Sequence, residues 1–145
     1  MSTNAQHIRR FNLAKLKNMM KAIAHPSVTE KFEFSSVEQM HDILLRERAR
    51  ADRNHHEFSV IALELGKLKR NSDVLMRLHK FLNTRLRRID EIGWFTREQL
   101  GIVLPYTDSV SAAHLANEMR RQFQDVIAGE QVQIYAYPSV WPFKK

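Results

Sequence analysis

A chain of 145 residues, 43% of them hydrophobic, has the length of one domain and enough apolar side chains for a core, which excludes wholesale disorder. It has no cysteine, so disulfides and thiol chemistry are excluded, and this composition points to a reducing cytoplasm. A net charge of +7 either attracts polyanions or keeps helix faces solvated; no apolar run approaches the roughly 18 residues that span a bilayer, and no secretory signal is expected.

Residues 1–35 hold six lysines and arginines against Glu30 and Glu33. Ile8, Phe11, Leu16, Met19, Met20 and Ile23 fall on one side, which predicts a basic amphipathic helix over 1–24. His25-Pro26 ends it, because the residue before proline avoids helical geometry. Residues 1–35 are read as a basic appendage to a domain at 36–145. Docking on that domain, lying on a membrane surface and fraying are all open to it.

Ser35-Ser36 ahead of Val37-Glu38-Gln39 predicts a helix start, with a serine cap and Glu38 or Gln39 reaching back. The helix runs to about Asp52, with Met40, Leu44 and Ala51 inward and Arg46, Arg48, Arg50 and Arg53 outward. Residues 58–65 have the length and apolar content of a central strand covered on both faces, and Gly66 ends it.

Ser72-Asp73 is expected to cap a second helix whose stripe is Leu75, Leu78, Leu82, Leu86 and Ile89. Arg85, Arg87 and Arg88 suit the negative end of its dipole. A hairpin follows, with strands at about 91–95 and 99–104, a turn near Thr96-Arg97 and Pro105 closing it. Thr107 or Asp108 caps a third helix with Leu115, Met119, Phe123 and Val126 inward and Gly129 at its C-cap. The last strand, 131–137, alternates polar and apolar residues and so belongs at a sheet edge. Pro138 and Pro142 end regular structure.

This order is a βαββαβ, ferredoxin-like α+β arrangement. Right-handed crossovers put both helices on one face of a four-stranded antiparallel sheet, with the N-terminal helices in addition.

Few constellations carry chemistry. His55 and His56 are adjacent, and His41, His79 and His114 have no partner three or four residues away, so no metal site is expected. No serine lies in a nucleophile motif, and neighbouring Asp90 and Glu91 point apart on a strand, which leaves acid–base catalysis without a pair. Basic charge and the aromatics Phe58, Trp94, Phe95, Tyr135 and Tyr137 offer a nucleic-acid reading on the sheet face, but the third strand is aliphatic where a base-stacking motif would stand. Tyr135 and Tyr137 share a face and offer a protein contact instead.

Residues 45–54, 58–65, 85–105 and Leu104-Pro105-Tyr106-Thr107-Asp108 together resemble the GGDEF domain of diguanylate cyclases, in an order and spacing that run from about Met40 to Tyr137. The resemblance implies a fold of the nucleotidyl-cyclase type. In an active member two carboxylates, one at the end of the first strand and one in the signature turn, hold Mg²⁺ on the phosphates of GTP. The signature glycines let the backbone approach the nucleotide.

The counterpart of the signature is Thr96-Arg97-Glu98-Gln99-Leu100. Both glycines are replaced, Glu98 keeps a carboxylate, and Gln99 puts a neutral amide where the family has a metal-binding glutamate. Glu64 takes the first metal position. Gly66 stands where a second acid is common, Leu68-Lys69 echoes a phenylalanine-lysine pair, and the segment before the second helix is short. The resemblance thus implies a degenerate, catalytically inactive domain with no cofactor or metal of its own, acting as a regulatory or protein-interaction module in bacterial signalling. It associates with a protein partner or with itself, and the basic appendage is the docking element. Arg87 and Asp90 match the family's inhibitory Arg-x-x-Asp product site, five residues before the signature. This makes cyclic di-GMP a possible ligand, with Arg87 gripping it bidentately. Nucleic acid is the third reading.

Overall fold

The computed structural model of the chain describes residues 34–141. The helix expected over 1–24, the rest of the appendage to residue 33, and Pro142 lie outside the described residues.

Seven main elements follow in order: α1 (Val37–Asn54), β1 (Phe58–Glu64), α2 (Ser72–Arg85), β2 (Glu91–Trp94), β3 (Gln99–Pro105), α3 (Ser109–Gln122) and β4 (Val132–Tyr137). The sheet order is β2-β3-β1-β4, and every neighbouring pair is antiparallel. This is the expected α+β topology. Each crossover helix spans two parallel strands separated by one antiparallel strand.

The central place of β1 follows from its composition. Phe58 to Leu63 are all buried, because β3 and β4 take the two edges and helices take the two faces. Ile61 and Leu63 meet Leu100, Ile102 and Leu104 of β3 and Val132 of β4 on one face, where Val74, Leu78 and Leu82 of α2 and Ala112, Ala116 and Met119 of α3 close the core. The opposite face is covered by α1, which packs chiefly against β2.

Each helix start is a local hydrogen-bond solution. Ser36 and Gln39 form a reciprocal capping box, 3.1 Å from Gln39 N–H to Ser36 Oγ and 2.8 Å from Ser36 N–H to Gln39 Oε1. Asn71, not Ser72, caps α2: its Oδ1 accepts from the N–H groups of Asp73 and Val74. Asp108 caps α3 by accepting from Ser111 N–H at 2.7 Å.

Some helix ends differ from expectation. α2 stops at Arg85, so Ile89 leaves the apolar stripe and is 49% exposed. α3 stops at Gln122, and Gly129 opens a short 3₁₀ turn, Gly129–Gln131, instead of capping the helix. Glu47, not Leu44, shares the inward side of α1 with Met40, Ile43 and Ala51.

The sheet edges are partly dressed. Ser35 forms a parallel bridge to Gly93: its N–H donates to Ile92 O and its carbonyl accepts from Trp94 N–H. At the other edge Val140 folds back onto Ala136, and Trp141 packs edge-on against Phe58 and Tyr137. Among the described residues no helix is long and apolar enough to cross a membrane.

Candidate functional site

The turn that joins β2 to β3 holds the residues singled out as the altered signature. Phe95 N–H and Thr96 N–H both donate to Gln99 O, at 2.8 and 3.3 Å. The Thr96 hydroxyl accepts from the N–H groups of Glu98 and Gln99 at 3.3 and 3.1 Å. A side-chain oxygen thus uses the backbone donors that the turn presents inward, the usual role of threonine in a tight turn. Phe95 then turns back over the hairpin. Its ring lies where a β-carbon on Gly101 would be, so only glycine fits there.

The same end of the sheet gathers the candidate metal positions. Glu64 lies directly opposite Gln99 in the β1–β3 register, so the two share a face. The carbonyl of Glu98 accepts from Leu65 N–H at 2.9 Å, and its carboxylate approaches Gly66. Gly66 has φ +56°, a left-handed conformation that an acidic residue would adopt only with strain. It begins the 3₁₀ turn Gly66–Arg70, and Asn71 caps α2 directly afterwards, so the connection is short. Glu64, Glu98 and Gln99 are therefore neighbours, Arg97 is exposed at the tip and Leu100 is fully buried. Among the described residues no three histidine, aspartate or glutamate side chains converge as a metal-binding group.

Arg87 and Asp90 meet at a second place. Asp90 is buried, its side chain 3% exposed, and it accepts from Arg87 three times: from the backbone N–H at 2.7 Å, from Nε at 3.2 Å and from Nη2 at 2.9 Å. Nη2 also donates to Pro105 O at 2.8 Å and Thr107 Oγ1 at 2.9 Å. The pair is a staple between the segment after α2 and the end of β3. It borders a cavity of about 290 Å³ lined by Arg85, Leu86, Tyr106, Ser111 and Leu115 among others.

Arg77 and Arg85 of α2 are also engaged. Arg77 forks onto Asp125 at 2.9 and 3.2 Å and donates to Gln122 O, and Arg85 forks onto Glu118 at 2.7–3.0 Å. These hydrogen bonds hold the Asp125 and Glu118 carboxyls below the usual carboxylate range. Arg77, Arg85 and Arg87 therefore spend their charge on helix–helix and loop contacts. The aromatics offered for base stacking are likewise not a free face. Phe58 and Tyr137 are buried, and Trp94 lies on the α2–α3 side against Phe34.

The sequence reading missed a third group. Glu47 is buried, with His56 Nε2 at 3.2 Å and Arg50 Nη1 at 3.2 Å. His56 stacks on Tyr106, with ring centroids 4.0 Å apart. His56 lines a cavity of about 490 Å³ with Asp52, His55, Glu57 and Tyr137, whose hydroxyl donates to Asp52 at 2.6 Å. The signal was present: Glu47 falls four residues after Ile43 and four before Ala51, on the apolar side of α1.

This sheet, with two helices behind it and α1 in front, defines an α+β fold like that of GGDEF cyclase domains. By fold the described residues form a GGDEF-like domain. A diguanylate cyclase protein from Thermotoga maritima matches with a TM-score of 0.60 at 13% identity, over 75% of this chain and 86% of that one. The GGDEF domain of YfiN from Pseudomonas aeruginosa matches with a TM-score of 0.58 at 17% identity, over 77% and 74%. The GGDEF domain of DgcB from Caulobacter crescentus, solved in complex with c-di-GMP, matches with a TM-score of 0.54 at 12% identity, over 71% and 68%. No protein-family model matches the sequence, and no curated protein matches it significantly.

Proposed function

We propose that the chain is a domain of cyclic di-GMP signalling that keeps the GGDEF scaffold without cyclase activity, and that it works as a regulatory or protein-interaction module. The observation that carries this reading is the Thr96 hydroxyl inside the signature turn. It takes the Glu98 and Gln99 N–H groups, whereas a glycine turn would leave its backbone open to a nucleotide. Gln99 supports the same reading, since an amide facing Glu64 supplies no second negative charge for Mg²⁺. The test is incubation of the full chain with GTP and Mg²⁺, followed by chromatography of the products. No cyclic di-GMP is expected, and its formation would refute the loss of activity. Light scattering with and without residues 1–35 tests whether the basic appendage is the docking element: loss of self-association on truncation is the expected result.

A second reading, cyclic di-GMP binding at Arg87 and Asp90, draws support from the 290 Å³ cavity that both residues border. Asp90 and Arg87 satisfy each other in the free protein, so a guanine would have to compete with an existing bidentate pair. Calorimetry with cyclic di-GMP, comparing wild type with Arg87→Ala, decides it. Absence of heat at high micromolar ligand removes this reading and leaves the first intact.

A further inference from the structure

Two non-glycine residues among those described have positive φ, His55 at 57° and Tyr106 at 55°. His55 is the C-cap of α1, an ordinary place for that conformation. Tyr106 has no such excuse. It follows the last residue of β3, the residue is 56% exposed, and a left-handed tyrosine costs free energy that its surroundings must offset.

Two sets of contacts hold it. On one side the ring stacks on the His56 imidazole, with centroids 4.0 Å apart and planes inclined by 24°. His56 in turn reaches the buried Glu47 of α1 through Nε2. On the other side both flanking residues are gripped from elsewhere. Arg87 Nη2 donates to Pro105 O and Thr107 Oγ1, and Ser59 Oγ donates to Thr107 O at 2.8 Å. Glu47, His56, Tyr106, the 105–107 segment, Arg87 and Asp90 thus form one unbroken line of contacts. It runs from α1 to the segment that precedes β2.

We propose that Tyr106 is a conformational latch that couples the Arg87–Asp90 corner to the C-terminal end of α1. While Arg87 holds Pro105 and Thr107, Tyr106 stays left-handed and covers His56. When Arg87 lets go, residues 105–107 keep the Ser59 bond but lose the two that Arg87 made to Pro105 O and Thr107 Oγ1; what remains no longer offsets the strained φ, and the backbone relaxes to an ordinary conformation. The ring then leaves the imidazole. His56 Nδ1, buried in the latched state, is then opened to solvent. The His56–Glu47 contact therefore responds to events at Arg87. By linkage, the Arg87 contacts respond to His56. The strained residue supplies the two-state element that such coupling requires. The latch needs no ligand and stands apart from the cyclic di-GMP reading.

Nuclear magnetic resonance on the full chain at fixed pH tests it. In wild type the His56 ring protons carry an upfield shift from the Tyr106 ring. Arg87→Ala should move them downfield, and Thr107→Val, which removes one anchor, should move them in the same direction by less. Arg77→Ala breaks a comparable arginine–carboxylate fork away from the latch and should leave them in place. In the reverse direction, His56→Ala should speed exchange of the Arg87 Nε–H that Asp90 now holds. Unmoved His56 signals in folded Arg87→Ala and Thr107→Val overturn the latch, and so does an equal shift in Arg77→Ala. If Arg87→Ala does not fold, Thr107→Val decides by itself.

Discussion

The hydroxyl of Thr96 accepts a hydrogen bond from the backbone N–H of Gln99 at 3.1 Å, and by this contact the turn between β2 and β3 closes on itself. Thr96→Val keeps the shape of the side chain and removes the acceptor. The two N–H groups it served are near the surface, so water replaces part of the loss. Urea unfolding should register a destabilisation of about 0.5–1.5 kcal/mol, whereas Arg97→Ala at the exposed tip should stay within about 0.5 kcal/mol.

Arg87→Ala leaves the Asp90 carboxylate buried with only the residue 87 backbone N–H as donor. Removing one partner of a buried ion pair costs about 3–5 kcal/mol, and the half-exposed arginine lowers the expected figure to about 2–3 kcal/mol. Adding Asp90→Asn removes the stranded charge. Chemical denaturation of the double variant should therefore recover part of the loss; a strictly additive double variant would contradict the staple.

Gly101→Ala places a methyl group where the Phe95 ring lies. Overpacking of this kind costs about 1–3 kcal/mol. Phe95→Ala vacates the space, so Gly101→Ala should be cheaper on that background. The four denaturant midpoints of this cycle measure the coupling directly, and equal costs on both backgrounds would mean that the ring can move aside freely.

Acid should weaken the helix layer. Asp108 is held below the ordinary carboxylate range by the Ser111 backbone N–H, Glu118 by Arg85 and Asp125 by Arg77. Each carboxyl is therefore more acidic folded than unfolded. Its contribution is complete above the unfolded value near 4 and is lost as pH falls through the lower folded value. Melting temperature should hold steady near neutral pH and drop below about pH 4. Arg77→Gln with Arg85→Gln should flatten that drop, and an unchanged acid limb would contradict it.

The order and type of the elements are written locally and are legible in the residues themselves. Apolar period and cap chemistry act within a few positions, so α1, β1, the hairpin and β4 could be read from the chain, and β1 declared its central place by being apolar throughout. The spacing from Arg87 to Asp90 and on to Thr96 was equally visible. What Arg87 does was not, because its partners Pro105 and Thr107 arrive only when the end of β3 is brought beside the segment after α2. Burial of Glu47 depended in the same way on His56, which reaches it across the turn after α1. The left-handed Tyr106 is held by contacts from several separate parts of the chain. Local periodicity determined which elements form; tertiary packing decided which charges are spent on one another, because a charge's partner is set by proximity in space and not along the chain.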